Sequence, residues 1–148
     1  MTFLFLGSIH KNYGVFTILE AAQILSEIYD NFVLYFIGKG KHFDDAAKYI
    51  ESHSLQDYVK MAGYVKEENL SDYLNKADCF ISPMKNNIQD WARCPSKIYL
   101  YLPFRKPIIT CKIGDPYDLL GSNALYYEPE NPKDLSMAMI KVISIPCG

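Results

Sequence analysis

The sequence predicts an α/β fold in which a doubly wound parallel sheet of about six strands carries helices on both faces. Short apolar runs alternate with longer segments whose apolar residues recur at helical spacing, through nearly the whole chain. Glycine or proline follows most of these runs, as is typical where a strand ends in a loop. Strands that alternate with helices need crossover connections, and crossovers favour parallel pairing.

The first two strand–helix pairs have the clearest patterns. Residues 3–6 form an apolar run that Gly7 closes, and the next apolar residues share helical spacing: Val15, Ile18, Leu19, Ala22 and Leu25. Residues 32–37 predict a second buried strand, which ends in Gly38-Lys39-Gly40. Residues 42–52 predict the helix that follows, with His42 and His53 as surface helix residues.

The remaining elements follow the same alternation. Strands are predicted at residues 58–62, 79–81, 107–111 and 124–127. Helices are predicted from Glu67, from Pro95 and from Pro132, and proline suits the first position of a helix. Asn131 can cap the last helix, whose apolar residues lie on one face: Leu135, Ala138, Met139 and Val142.

Composition excludes several classes of protein. A chain of 148 residues with 49% hydrophobic and 22% charged residues predicts one folded domain. With 15 basic and 17 acidic residues, bulk charge does not favour nucleic-acid binding. The four cysteines lack C-x-x-C spacing, no metal-ligand spacing occurs, and no apolar run approaches the length of a membrane span. We therefore expect a cytoplasmic location and no metal.

The segment around Pro95 predicts an anion site. A long loop, residues 82–94, leads to a helix start that offers unpaired N–H groups and partial positive charge. Arg93, Ser96 and Lys97 flank this start. Phosphate is the expected anion, although both cations could instead be solvated residues. Trp91, in the same loop, is either a stacking platform for a base or sugar or an anchor of the loop.

The order of these motifs is similar to that of a known family. They are Gly7, Gly38-x-Gly40, Ala62-Gly63-Tyr64-Val65, Ala77-Asp78-Cys79-Phe80-Ile81-Ser82-Pro83, Pro95-x-Lys97 and Lys106-Pro107-Ile108-Ile109. Together they resemble the carboxyl-terminal half of a retaining GT-B glycosyltransferase of group 1, over nearly the whole chain. The resemblance implies a Rossmann-like domain, residues 1–148, that binds a nucleotide sugar as donor and needs no other cofactor. It also implies cell-surface polysaccharide or glycoconjugate synthesis, at the inner face of the membrane if the missing half associates with lipid.

The resemblance implies binding roles for particular residues but assigns no catalytic residue. The donor diphosphate is expected at Gly7, Lys11, Arg93, Ser96 and Lys97. The base and ribose are expected near Gly38, Tyr64, Val65 and Leu100. Alternatives stay open, because Lys11 could be an ordinary exposed loop lysine, Gly38-Lys39-Gly40 an ordinary turn and Tyr64 a plain rim aromatic. His10, without a carboxylate near it in sequence, is a poor catalytic candidate.

Departures from the family pattern favour an alternative function. The two usual glutamates fall on Ala92 and Leu100, and the usual arginine and lysine of the first loop fall on Ser8 and Tyr13. A degenerate, inactive binding module is therefore the competing interpretation. In either case the acceptor-binding half and the terminal crossover helix are expected to lie outside this chain, so the isolated domain is expected to be inactive. An unrelated phospho-receiver is disfavoured, because no acidic pair follows the first strand.

Overall fold

The computed structural model describes residues 1–11, 14–83, 101–111 and 124–144. Six strands form one sheet: β1 (Thr2–Leu6), β2 (Val33–Ile37), β3 (Val59–Gly63), β4 (Cys79–Ser82), β5 (Ile108–Thr110) and β6 (Leu125–Tyr126). The described helices are α1 (Val15–Ser26), α2 (Phe43–Ser52), α3 (Glu67–Lys76) and α4 (Pro132–Ser144), with a short 3-10 helix at Leu102–Phe104. Each predicted strand is confirmed to within one residue at either end. Residues 95–100 of the helix predicted from Pro95 lie outside the described residues.

All pairings in the sheet are parallel, in the order β3-β2-β1-β4-β5-β6. The chain therefore moves outward from β1 in one direction and returns to the other side of β1 to continue. Because crossovers between parallel strands are right-handed, the reversal places α3 on the face opposite to α1 and α2. The doubly wound fold predicted from the sequence is confirmed.

Two apolar layers hold the helices to the sheet. On one face, side chains of α1, α2 and α4 pack with alternate residues of the strands, including Phe3, Phe5 and Ile81. On the other face, Leu74 of α3 packs with Leu4 and Phe80. The central strands β1 and β4 are thus buried on both sides, which explains their apolar runs.

The predicted start of the last helix is confirmed in detail. Asn131 Oδ1 accepts a hydrogen bond of 3.0 Å from the backbone N–H of Asp134. Asp134 in turn accepts one of 2.6 Å from the backbone N–H of Glu128 through Oδ2. The predicted apolar face is buried against α1, as Leu135, Ala138, Met139 and Val142 show. Cap and amphipathic face together place α4 on the sheet.

Candidate site at the carboxyl edge of the sheet

The strand order reverses beside β1, and this creates the natural binding crevice of the sheet. β1 pairs with β2 along its whole length, from Thr2 to Leu6, but its register with β4 covers only Phe3 and Leu4. In open parallel sheets, ligands bind outside the carboxyl ends of the strands at such a reversal. The candidate site therefore lies where the loop after β1 faces the end of β4.

A buried tyrosine hydroxyl occupies the place where β1 and β4 separate. The N–H of Leu6 donates to the Tyr101 hydroxyl oxygen over 3.0 Å. The Tyr101 ring is fully buried and stacks on Phe80, with ring centroids 4.3 Å apart. Burial raises the pKa of Tyr101 well above its ordinary range, so the hydroxyl stays neutral. The Tyr101 hydroxyl thus accepts the hydrogen bond of the Leu6 N–H at the point where β4 no longer pairs with β1.

A second polar atom is buried at the end of β4. The Ser82 hydroxyl is fully buried and has no hydrogen-bond partner among the described parts of the chain. Its neighbour in β5, Thr110, donates from Oγ1 to the Ser82 carbonyl over 2.8 Å. A buried hydroxyl without a hydrogen bond lowers the free energy of unfolding by about 1–3 kcal/mol. Ser82 therefore places a polar atom at the end of β4, beside the crevice.

The loops after β1 and β2 are joined by three hydrogen bonds. The N–H of Ile9 donates to the Lys39 carbonyl at 3.2 Å, and the N–H of His42 donates to the Ile9 carbonyl at 3.0 Å. The N–H of Lys11 donates to His42 Nδ1 at 3.1 Å. His42 therefore holds the first loop, and its predicted role as a surface helix residue is wrong. It is half-buried and precedes α2 as its N-cap, without capping the helix through its side chain.

The two glycines of Gly38-Lys39-Gly40 allow this close approach. A Cβ atom on Gly38 would lie 2.0 Å from the Gly7 carbonyl oxygen, and one on Gly40 would lie 2.6 Å from that of Ile9. Gly38 also has a φ of 137°, which side chains rarely tolerate. Contact between the two loops is thus sufficient reason for both glycines. Approach of a ligand to Gly38 stays a prediction.

The N-terminus of α1 differs electrostatically from those of the other described helices. Gly14, its N-cap, makes no side-chain cap, and no acidic residue lies in the first turn. The first turns of the other three contain acidic residues: Asp44 and Asp45, Glu67 and Glu68, and Asp134. Carboxylates there offset the partial positive charge of the helix end. At α1 that charge is not offset by an acidic residue in its own first turn.

Lysines supply the charged side chains of the described loops at this edge. Segments 7–11, 38–42 and 63–66 carry exposed lysines and no carboxylate: Lys11, Lys39, Lys41 and Lys66. With the uncapped end of α1, they favour an anionic ligand at this edge over a cationic one.

A shallow groove of about 520 Å³ extends from the end of β3 along one face of α3. Tyr64 and Val65 lie at its β3 end, and Asn69, Tyr73 and Lys76 line it farther along α3. Tyr64 is 74% exposed, which is unusual for a large aromatic side chain. An exposed ring beside a groove is available for stacking.

The structure brings five of the predicted site residues to one edge of the sheet: Gly7, Lys11, Gly38, Tyr64 and Val65. The other four, Arg93, Ser96, Lys97 and Leu100, lie outside the described residues, as do Tyr13, Trp91 and Ala92. Sequence reasoning missed His42, Ser82 and Tyr101. Only the position of His42 two residues after the glycine pair could have indicated its contact with the first loop.

A family model described as "Glycosyl transferases group 1" matches residues 1–146. The chain belongs to this family. Comparison with curated protein sequences gives no match. None of the described helices of this group 1 domain is long and apolar enough to cross a membrane.

Solved structures confirm the fold of the group 1 domain. A mutant of TarM from S. aureus, in complex with fondaparinux, alpha-GlcNAc-glycerol and UDP, aligns with a TM-score of 0.82 at 16% identity over 97% of this chain and 28% of its own. HepE from Anabaena, in complex with UDP and glucose, has a TM-score of 0.79 at 15% identity, over 97% of this chain and 38% of its own. The carboxyl-terminal domain of LpcC from Francisella tularensis has a TM-score of 0.81 at 16% identity, over 97% of this chain and 75% of its own. This chain spans well under half the length of the first two.

Proposed function

We propose that this chain is the donor-binding domain of a retaining group 1 glycosyl transferase in cell-surface polysaccharide or glycoconjugate synthesis. The observation that carries the proposal is the reversal of strand order beside β1, with the loop of Gly7 and Lys11 at the mouth of the crevice. UDP in the TarM and HepE structures supports a nucleoside diphosphate as the ligand class.

The diphosphate is expected between the first loop and the start of the Pro95 segment. Cleavage of a sugar–phosphate bond places negative charge on the leaving diphosphate, so the site needs cations and N–H donors that are already in position. Lys11 and the N-terminus of α1 can supply these from the described side. Arg93 and Lys97 are proposed to supply them from the other, Arg93 as a bidentate partner and Lys97 as a point charge.

The base and ribose are expected toward the groove beside β3. Tyr64 offers an exposed ring, and the backbone at Val65 is the other proposed contact. Leu100 cannot accept a hydrogen bond from a ribose hydroxyl, so nucleotide affinity is expected to be weak. Loss of two or three polar contacts at about 1–2 kcal/mol each moves an affinity from micromolar toward millimolar.

Transfer is proposed to require a second domain. Donor and acceptor must be held together in a cleft that excludes water, and one domain supplies only one wall of such a cleft. The isolated chain is therefore expected to bind nucleotide without transferring sugar. No metal is expected in the reaction, because the proposed charge stabilisation comes from side chains and helix ends.

The proposal is tested by ligand-detected NMR with a panel of nucleoside diphosphates and nucleotide sugars. A hit should be followed by titration of Lys97→Ala and of Lys48→Ala, a matched control on the exposed side of α2. Loss of a charge-assisted hydrogen bond should weaken binding to Lys97→Ala by about 1.5–3 kcal/mol. Binding to Lys48→Ala should be unchanged. If no nucleotide binds, or if the two variants behave alike, the proposed site is wrong.

A second candidate function is a degenerate binding module that keeps nucleotide affinity without catalysis. Its support is the replacement of two expected acidic residues by Ala92 and Leu100. The two functions differ in one measurement, which is sugar transfer by this chain as part of its full-length protein. Turnover of a nucleotide sugar there supports the enzyme, and nucleotide binding without turnover supports the module.

A further inference from the structure

His42 makes two of the three described hydrogen bonds between the loop after β2 and the loop after β1. Its backbone N–H donates to the Ile9 carbonyl at 3.0 Å, and its Nδ1 accepts from the Lys11 N–H at 3.1 Å. One residue therefore holds both sides of the turn at His10. The His10 and His42 rings also meet edge to face, with centroids 4.6 Å apart.

The hydrogen bond to Lys11 defines which form of His42 is compatible with the loop. An imidazole nitrogen can accept a hydrogen bond only when it carries no proton, so Nδ1 must be bare and the proton must sit on Nε2. A second proton on the ring would convert Nδ1 into a donor facing the Lys11 N–H. The observed loop conformation thus requires neutral His42.

We propose that neutral His42 is a positioning residue for the donor diphosphate, and that its protonation releases Lys11 from the crevice and weakens nucleotide binding. The inference rests on the proposed function, because it assumes that Lys11 lies at the diphosphate. His42 itself does not touch the ligand. Histidine is the side chain that ordinarily changes charge between roughly pH 5 and pH 8, and this sets the pH range of the test.

The two loops around His42 carry mostly basic side chains. The first loop contributes His10 and Lys11, and the loop of His42 contributes Lys39 and Lys41. The first turn of α2 contributes the opposing charge, because the carboxylates of Asp44 and Asp45 favour a protonated ring. A proton on His42 places a positive charge beside His10 and beside a backbone N–H that it can no longer satisfy. Protonation therefore opposes the contact between the two loops.

The test compares UDP affinity between pH 7.5 and pH 5.5 for the unmodified chain and three variants. His42→Ala removes the acceptor, and UDP binding at pH 7.5 should weaken roughly five- to tenfold. His42→Asn keeps an acceptor oxygen close to the position of Nδ1 but cannot be protonated, so it should restore binding. His53→Asn is the matched control, because His53 bonds locally to the Tyr49 carbonyl at the far end of α2.

The decisive result is the pH profile. Between pH 7.5 and 5.5, UDP affinity should fall about fivefold more for the unmodified chain and His53→Asn than for His42→Asn. Titration of UDP itself is common to these proteins and cancels in the comparison. In parallel, the ¹⁵N–¹H shift of the Lys11 amide, measured without nucleotide, should titrate in the unmodified chain and not in His42→Asn.

The outcomes separate this inference from the proposed function. No UDP binding at any pH by the unmodified chain overturns both. UDP binding with the same pH profile in the unmodified chain and His42→Asn overturns the positioning role alone. A relative gain in affinity on acidification of the unmodified chain also overturns it, because His42 would then act as a cation toward the phosphates. A Lys11 amide that does not titrate removes its structural basis.

Discussion

The backbone N–H of Leu6 donates to the hydroxyl oxygen of Tyr101, 95 residues further along the chain and 3.0 Å away. This bond lies where β1 stops pairing with β4. A side-chain hydroxyl there accepts the hydrogen bond that a backbone carbonyl of β4 would otherwise accept. It gives the part-buried Leu6 N–H a partner where β4 supplies none. Tyr101 therefore satisfies the backbone at the edge of the crevice beside β1.

Replacement of this tyrosine should destabilise the fold. Tyr101→Phe leaves the Leu6 N–H without its acceptor, and we expect the free energy of unfolding to fall by about 1–3 kcal/mol. Urea denaturation followed by circular dichroism measures this. Tyr64→Phe is the control, since its ring is 74% exposed, and it should change stability by less than about 0.5 kcal/mol. Equal stability of Tyr101→Phe and the unmodified chain would contradict the role given to the hydroxyl.

Stability should decline at alkaline pH because of buried phenols. Burial raises the pKa of Tyr101 and of Tyr127 in the folded chain, whereas an unfolded tyrosine loses its proton near about pH 10. Above that pH the unfolded chain holds fewer protons than the folded one, so the free energy of unfolding falls as pH rises. Below it, the contribution of both groups is fully present. Between pH 8 and 11 the urea midpoint should fall less steeply for Tyr101→Phe than for the unmodified chain. The same decline in both proteins would contradict this prediction.

Alanine should be tolerated far worse at Gly38 than at Gly63. At Gly38 a Cβ atom would lie 2.0 Å from the Gly7 carbonyl oxygen, so the two loops must separate. At Gly63 the φ is 70° but the nearest atom is the Lys39 side chain at 3.5 Å, so only backbone strain of about 1 kcal/mol is expected. We expect Gly38→Ala to cost at least about 2 kcal/mol more than Gly63→Ala. Similar thermal unfolding temperatures for both would show that the loops are not held together as described.

The N-cap of α4 should contribute measurably to stability. Asn131→Ala removes the acceptor for the Asp134 N–H and should lower the free energy of unfolding by about 0.5–2 kcal/mol. Asn75→Ala, an exposed substitution in the last turn of α3, is the control and should be neutral or slightly stabilising. Chemical denaturation distinguishes them. A loss at Asn75 equal to that at Asn131 would rule out a specific capping effect.

A restored carboxylate should strengthen nucleotide binding if the family register holds. Leu100→Glu would offer an acceptor for the ribose hydroxyls, so UDP affinity should rise about five- to thirtyfold. Inorganic pyrophosphate, which lacks ribose, should bind no better, and this is the control ligand. Isothermal titration or NMR measures both. A gain for neither ligand in a folded variant would favour the degenerate binding module.

The sequence by itself determined the strands, the described helices and their order. The apolar run of β2 and the spacing of Val15, Ile18 and Leu19 in α1 are local patterns, since burial on one or both faces dictates them residue by residue. The cap at Asn131 is local as well, because donor and acceptor lie three residues apart. Parallel pairing followed from the alternation, since crossovers leave few other arrangements.

Only the tertiary structure decided which residues contact one another at the carboxyl edge of the sheet. Leu6 meets Tyr101 across 95 residues, and Lys11 meets His42 across 31. Such contacts depend on which strands become neighbours and on the exact path of each loop, and no local periodicity encodes either. His42 illustrates the difference, because at the start of a helical pattern it looked like a surface residue. In the folded chain the glycines beside it bring two loops within hydrogen-bonding distance, and its ring nitrogen became the acceptor that the Lys11 N–H required.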